Sequence, residues 1–198
     1  MKNVPLNLCV AGMDEAGRGS WAGPVVAGAV ILPKKIRLPG LNDSKKLTEK
    51  GRERLYSLIT RSCVYSVGIA SESEVDELGL SRATFLAFKR ALESLPEKPQ
   101  HLYIDGRDPF VFDTPHTSVI RGDQIFRCIA AASIIAKVTR DHLMCELSKK
   151  YPLYDFHIHK GYGTQAHHKA LRQHGPCELH RKSYQPLKQL QCTQESFL

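Results

Sequence analysis

Short apolar runs alternate along the chain with longer stretches of helical period. Residues 6–13 read as a buried strand that ends at Asp14 and Glu15, and the glycines at 17, 19 and 23 then force a turn. Residues 24–32 (PVVAGAVIL) read as a second strand, β-branched and stopped by Pro33, and residues 63–70 (CVYSVGIA) as a third. A basic loop at 34–47 and a helix at 48–61 separate those two. Val75, Leu78, Phe85, Phe88, Leu92 and Leu95 fall near helical spacing, which predicts a helix over 73–95 closed by Pro96 and Pro99. A short strand at 101–104 stops at Asp105 and Gly106, and another is predicted at 116–120. Residues 124–150 predict a long helix whose first half (IAAASIIA, 129–136) is small enough to pack closely on a sheet. The remainder to 190 reads as loop with a helix at 164–174. This order predicts an α/β domain, and the short link from the first strand to the second predicts antiparallel pairing there.

Composition changes that picture little. The 198 residues are 42% hydrophobic and 24% charged, which suits one domain and excludes a disordered chain. No long uninterrupted apolar window or secretory leader is evident, so a cytoplasmic protein without a membrane span is expected. Charge is more informative. The net charge is +8, but it is uneven: residues 71–136 carry 7 basic and 10 acidic groups, whereas residues 137–190 carry 10 basic and 4 acidic groups and seven of the nine histidines. A basic region beside an acidic one suits a protein that holds a polyanion together with metal ions. The six cysteines form no CxxC pair, so they are expected to be buried free thiols rather than a zinc ribbon.

The acidic positions carry the candidate chemistry. Asp14 and Asp105 each follow an apolar strand and precede a glycine turn, at the sheet mouth where functional groups often stand. Glu15 adjoins Asp14, and Asp123 precedes the small-residue helix. Brought together, the four would repel unless hard divalent cations such as Mg²⁺ or Mn²⁺ neutralised them. Each also has a plainer role open to it: Asp123 as a helix cap, Asp105 as a turn residue, Asp14 and Glu15 as solvated turn residues. Adjacent strand residues point to opposite faces, so joint ligation by Asp14 and Glu15 calls for a distorted strand end.

Asp14-Glu15-Ala16-Gly17-Arg18-Gly19, with Ala22-Gly23-Pro24-Val25-Val26 after it, resembles the signature of ribonuclease HII. The likeness continues through Asp43-Ser44-Lys45-Lys46-Leu47, Tyr103-Ile104-Asp105-Gly106, Gly122-Asp123 with the helix to Lys137, Arg140 and Asp141, then His159 to Thr164 and His180 to Tyr184. It covers roughly residues 8–187. Arg121 stands where the family usually has Lys, and Tyr184 where Phe is common; charge and aromaticity are kept. The Gly-Arg-Gly form, and the lack of room for a further domain before Asp14, favour HII over the related ribonuclease HIII.

The resemblance implies an RNase H-like fold: a mixed five-stranded sheet flanked by helices, with a helical C-terminal extension. One nuclease domain over 1–198 is implied, with a core at 8–150, a substrate-binding region at 151–187 and a tail at 188–198. It implies cleavage of RNA in RNA–DNA hybrids and nicking of duplex DNA 5′ to single embedded ribonucleotides, leaving 3′-hydroxyl and 5′-phosphate ends. Asp14, Glu15, Asp105 and Asp123 would hold two divalent ions, Mg²⁺ or Mn²⁺. Gly17, Arg18 and Gly19 would read the 2′-hydroxyl through the backbone, and Tyr162 would pack on the sugars at the junction. Ser44 and Lys45, with Lys46, would hold phosphates. His157, His159, His167, His168 and Arg181 would track the backbone or serve structure, since hard ions favour oxygen. Beyond the likeness, Gln194, Phe197 and Leu198 loosely resemble a sliding-clamp-binding peptide, and a monomer is expected. The Gly17–Gly19 loop with Tyr162 argues against a nuclease indifferent to single ribonucleotides. The four acids argue against a hybrid-binding protein without catalysis.

Overall fold

The β-branched and alanine-rich runs pair edge to edge into one mixed sheet. The computed structural model describes residues 1–3, 8–185, 187 and 188. Among these, the strands are β1 (Val10–Ala16), β2 (Val25–Ile31), β3 (Val64–Ala70), β4 (His101–Asp105) and β5 (His116–Val119), in the order β3-β2-β1-β4-β5. β1 pairs antiparallel with β2, as its short link requires, and β2 with β3; β1 with β4 and β4 with β5 are parallel. The helices are α1 (Glu49–Ser62), α2 (Glu72–Leu78), α3 (Leu80–Glu93), α4 (Gly122–Ile125), α5 (Arg127–Lys150), α6 (Phe156–His159) and α7 (Gln165–His174).

Helices cover both faces. On one, Ala83, Ala87, Phe88 and Ala91 of α3 pack with Met13, Ala27, Leu102 and Ile104. On the other, Ala131, Ile134, Ile135 and Val138 of α5 pack with Val30 and with Leu55 and Ile59 of α1. The approach of α5 is set by glycine. A Cβ at Gly12 would lie 2.1 Å from the Cys128 carbonyl carbon, and one at Gly28 would lie 2.6 Å from the Ala132 oxygen. The helix backbone therefore rests directly on β1 and β2, and the run of small residues at 129–136 is what permits it.

Four expectations are corrected. The first strand runs to Ala16 rather than stopping at residue 13, because β2 pairs with it as far as Ala16–Val26. Its expected beginning at residues 6 and 7 lies outside the described residues. The helix expected over 73–95 is two, divided at Gly79, whose φ of +78° is outside the helical range. Ser71 and Glu74 start the first with reciprocal side-chain-to-backbone hydrogen bonds of 3.2 and 2.9 Å. The helix expected from 124 is broken at Phe126, which is extended (φ −111°, ψ 130°) and stacks on Tyr103 with 4.5 Å between rings. Finally, of the five described cysteines, all free thiols, only Cys128 is buried.

The C-terminal segment is more structured than its polar sequence predicts. A 3-10 turn (Pro152–Tyr154) and α6 precede α7, and Tyr154, Phe156, Leu171, Leu179 and Leu187 form a third apolar cluster with Ala22 and Met144. It seals this segment onto the far half of α5 and onto the loop after β1. No helix among the described residues is long and apolar enough to cross a membrane.

Candidate active site

The site begins where the central sheet comes apart. β4 pairs with β1 only as far as Met13–Ile104, so the next stretch of β1 has a neighbour on one side alone. The Glu15 N–H is taken instead by Asp14 Oδ1 at 2.7 Å. Both carboxyls line one cavity of about 440 Å³, while β1 keeps its pairing with β2 through Asp14, Glu15 and Ala16. Asp105 ends β4, and its Oδ1 accepts the Gly122 N–H at 2.6 Å. That bond ties it to α4, where Asp123 is the second residue and 3% exposed; the cap position belongs to Arg121, in the left-handed region at φ +55°.

The four acids feel one another. Burial, then the charges of Glu15 and Asp105, raise Asp14 well above the carboxylate range, while donors from Ser133 and the Glu15 N–H oppose the rise. Glu15 is raised to about 7 by burial and by Asp105 and Asp108, against the pull of Arg18. Asp123 is raised to about 6 by burial and by Asp105 and Asp43. Lys45 is drawn upward by Asp123, Asp14, Asp43 and Asp105, whose combined field outweighs the burial that would lower it. Among the described residues, no three His, Cys, Asp or Glu side chains stand close enough to form a closed metal cage. The donor chemistry nonetheless fits a hard divalent cation: the group is all oxygen, partly desolvated and short of positive charge. Asp14, Glu15, Asp105 and Asp123 are the residues that could hold it.

The glycine loop forms one wall. Gly17 has φ +94°, and a Cβ there would meet Arg140 Nε at 2.1 Å and the Pro24 oxygen at 2.7 Å, so the protein's own packing demands glycine. Gly19 differs: it is exposed, and a Cβ would have nothing within 4 Å. No internal contact requires a glycine at 19, which leaves its backbone open to close approach from outside. Between them, Arg18 bonds to Asp108 and reaches Glu15 at 3.4 Å. Tyr162 forms a second wall, beside that loop. It bridges to Ser20 as an antiparallel pair, and Lys137 Nζ and Arg140 Cζ each stand 5.2 Å from its ring centre.

Ser44 and Lys45 are also at the cavity, in a 3-10 turn capped by Asp43, whose Oδ1 accepts the Lys45 N–H at 2.9 Å. Lys45 is exposed, but Ser44 is buried and its hydroxyl is 2.8 Å from that of Ser133 on α5. Of the basic C-terminal residues, His159, His167 and Arg181 are buried, whereas His157 and His168 are exposed. Sequence reasoning overlooked Asp43, Asp108, Ser133 and Lys137. Asp43 is buried, accepts from Gln124 Nε2 at 3.2 Å and lies in the field of Asp123; its place in the Asp43–Leu47 block was the available signal. Ser133 was visible as the polar residue of the IAAASIIA run.

The family model for ribonuclease HII matches residues 11–187, spanning both walls of this cavity and all four acids. The chain belongs to the ribonuclease HII family. It is 52% identical over 183 residues to a ribonuclease HII from Desulfitobacterium hafniense (strain DSM 10664 / DCB-2), covering 92% of this chain and 70% of that protein. A ribonuclease HII from Burkholderia cenocepacia (strain HI2424) is 49% identical over 180 residues, covering 90% of this chain and 84% of the relative. Among solved structures, ribonuclease H2 from Pyrococcus horikoshii OT3 superposes with a TM-score of 0.78 at 30% identity, over 93% of this chain and 97% of that one. The RNase HII of a PCNA complex from Archaeoglobus fulgidus gives 0.78 at 26% identity, over 90% and 96%. The mixed five-stranded sheet with its flanking helices is the fold of these enzymes.

Proposed function

We propose that this hydrolase, acting on RNA in RNA–DNA hybrids, also nicks duplex DNA on the 5′ side of a single embedded ribonucleotide. The products would carry 3′-hydroxyl and 5′-phosphate ends. One observation carries the reading: Asp14 and Glu15 line the same cavity as Gly17, Arg18 and Tyr162, so the acids and the groups suited to reading a sugar share one site. A scissile phosphate laid over the acids would put its neighbouring sugar against the exposed Gly19 backbone and the Tyr162 ring. RNA differs from DNA there by one hydroxyl that both donates and accepts, and backbone groups can test for both. Arg18 and Lys45 would hold phosphate oxygens, Arg18 by exchanging its bonds to Glu15 and Asp108 for them.

Asp14, Glu15, Asp105 and Asp123 would hold two divalent ions, Mg²⁺ or Mn²⁺. Bound there, such ions supply an acidified water and charge neutralisation at the leaving 3′ oxygen. The protein's own part is to keep Asp14 and Glu15 on the half-desolvated cavity, with Asp105 and Asp123 in reach of the same field, where they need that charge. A sliding clamp is a further proposed partner, through Gln194, Phe197 and Leu198, which lie outside the described residues. The Archaeoglobus neighbour, solved with PCNA, supports this. Deleting residues 194–198 should abolish retention on a clamp column; unchanged retention removes the role of that peptide, and no retention of the intact chain removes that partner.

The main test is a nicking assay on a DNA duplex with one ribonucleotide, with Mg²⁺ or Mn²⁺ and an EDTA control. A metal-dependent cut 5′ to the ribonucleotide is expected. Cleavage of a long hybrid without that cut would retain the hydrolase and remove the junction-reading role of Gly17–Gly19 and Tyr162.

A further inference from the structure

Behind Tyr162 lies a group of buried imidazoles that the proposed chemistry does not use. His159, His167 and His180 are 7%, 0% and 1% exposed. His167 Nδ1 is 3.0 Å from the Tyr162 carbonyl oxygen, His167 Nε2 is 3.0 Å from His180 Nε2, and the Cys177 N–H donates to His180 Nδ1 at 2.9 Å. A carbonyl can only accept, so His167 must carry its proton on Nδ1. In a neutral ring its Nε2 is then bare and accepts, which places the His180 proton on Nε2. That leaves His180 Nδ1 bare and accepting from the Cys177 N–H, its nearest partner, with the Cys177 carbonyl oxygen and Sγ each farther off at 3.2 Å. The chain of donors has one consistent solution for neutral rings, and it terminates on the main chain of Tyr162. His159 follows the same pattern independently: Nδ1 accepts the Gly161 N–H at 3.2 Å, and Nε2 faces the Tyr154 oxygen at 2.7 Å. Its ring stacks on His167 at 4.4 Å.

We propose that His167 and His180 are positioning residues, two imidazoles in fixed and opposite tautomers that hold the Tyr162 backbone and so aim its ring at the ribonucleotide junction. This rests on the reading of Tyr162 given above. An added proton on His167 breaks the arrangement, because two N–H groups would then face each other between the rings, whereas one on His180 Nδ1 would exchange the Cys177 N–H for the Cys177 carbonyl oxygen at 3.2 Å. The titratable groups facing the pair are His159, Cys177 and the Tyr154 ring, none of them a carboxylate. Burial accordingly depresses both His167 and His180 to about 4.

Selectivity, the ratio of kcat/KM on a one-ribonucleotide duplex to that on a long hybrid, separates positioning from general support of the fold. His167→Leu should lower this ratio roughly tenfold, less than the ~100-fold that a misplacement of about 1 Å near the chemistry can cause. His167→Asn, whose amide N–H can stand near the lost Nδ1–H, should recover most of it. In Tyr162→Ala the His167→Leu change should lower the ratio no further, since the two act through one group. If Tyr162→Ala lowers the ratio and His167→Leu does not, or if the two effects add, the positioning role is overturned while the junction reading stands. If Tyr162→Ala leaves the ratio unchanged, the reading of Tyr162 fails and this inference fails with it. Should His167→Leu not fold, nitrogen-15 NMR of the imidazoles in the unaltered protein decides. Neutral rings at pH 6 with the proton on Nδ1 of His167 and on Nε2 of His180 are expected; the reverse tautomers, or a charged ring, overturn it.

Discussion

At the open ends of β1 and β4, Asp14 and Asp123 are buried and Glu15 half-buried, each in the field of Asp105, with few donors to answer them. A short distance away, Arg140 and Arg181 are each 0% exposed, more deeply buried than the acids, and each makes three or more hydrogen bonds. Arg140 donates to the carbonyls of Pro24, Lys160 and Ala22 at 2.9, 2.9 and 3.1 Å. Arg181 donates twice to the Gly23 carbonyl, and once each to the Arg18 carbonyl and the Tyr184 hydroxyl. Burial lowers Arg140 to about 10, far enough above neutrality to leave it charged. The two arginines are thus mechanical: they bind the loop after β1, residues 18–24, to α5 and to the C-terminal segment. The acids are left wanting charge from outside. Buried charge saturated by backbone dipoles marks scaffold here, and buried charge left short of partners marks the place for chemistry.

Substitutions should break this contrast in opposite ways. Asp14→Asn should reduce single-turnover hydrolysis by about 10³-fold or more, with duplex binding retained in a gel-shift assay. Turnover near that of the unaltered protein would remove Asp14 from the metal-holding group. The same variant should be the more stable protein in EDTA at pH 8, because it removes one member of a repelling cluster. Arg181→Met should do the reverse. It leaves the Gly23 carbonyl without a donor, at about 1–3 kcal/mol for a buried unpaired group, while the Arg18 carbonyl keeps the Tyr184 hydroxyl at 2.6 Å, and urea unfolding should register that loss. Unchanged stability would show that the clasp is dispensable.

The two regions also respond oppositely to pH. His167 and His180 have folded pKa values near 4, below the ordinary 6.5. Between those limits the unfolded chain binds more protons, so their contribution to stability is complete above 6.5 and is lost as pH falls toward 4. Thermal unfolding in EDTA should show Tm falling over this range by on the order of 5 °C. The fall should be shallower in His167→Asn; an identical slope would mean that His167 is not held neutral. The smallest effect concerns the acids. Glu15 at about 7 and Asp123 at about 6 lie above their unfolded values, so the folded state binds more protons there and loses stability as pH rises through those values. Mg²⁺ or Mn²⁺ should therefore raise Tm more at pH 8 than at pH 5.5, and an equal rise at both would argue that the cations bind elsewhere.

Much of the fold could be read locally. The strands at 24–32 and 63–70 are β-branched runs bounded by breakers, and the elements found there differ by a residue or two. The long predicted helices were wrong only at Gly79 and Phe126. At Gly79 a positive φ ends the helical run, a choice that glycine permits without imposing. At Phe126 the cause is stacking on Tyr103, twenty-three positions earlier in the chain. In the C-terminal segment the helix at 164–174 was legible, but the turn at 152–154 and α6 were not, because the residues there gain their partners only in three dimensions.

The sequence by itself determined the order of the five strands along the chain and the family, and it marked the acids and the glycine loop as candidates, since these are carried by residue identity and close spacing. Tertiary structure alone decided that Ser44 turns inward to Ser133, that Arg18 bonds to Asp108, and that Arg140 and Arg181 end on main-chain carbonyls. It also brought His167 and His180, thirteen residues apart, to a single hydrogen bond behind Tyr162. The physical reason is the same in each case. A side chain's chemical type is fixed by the code, but the partner that satisfies it in a low-dielectric interior is chosen by packing, and that partner can lie anywhere along the chain.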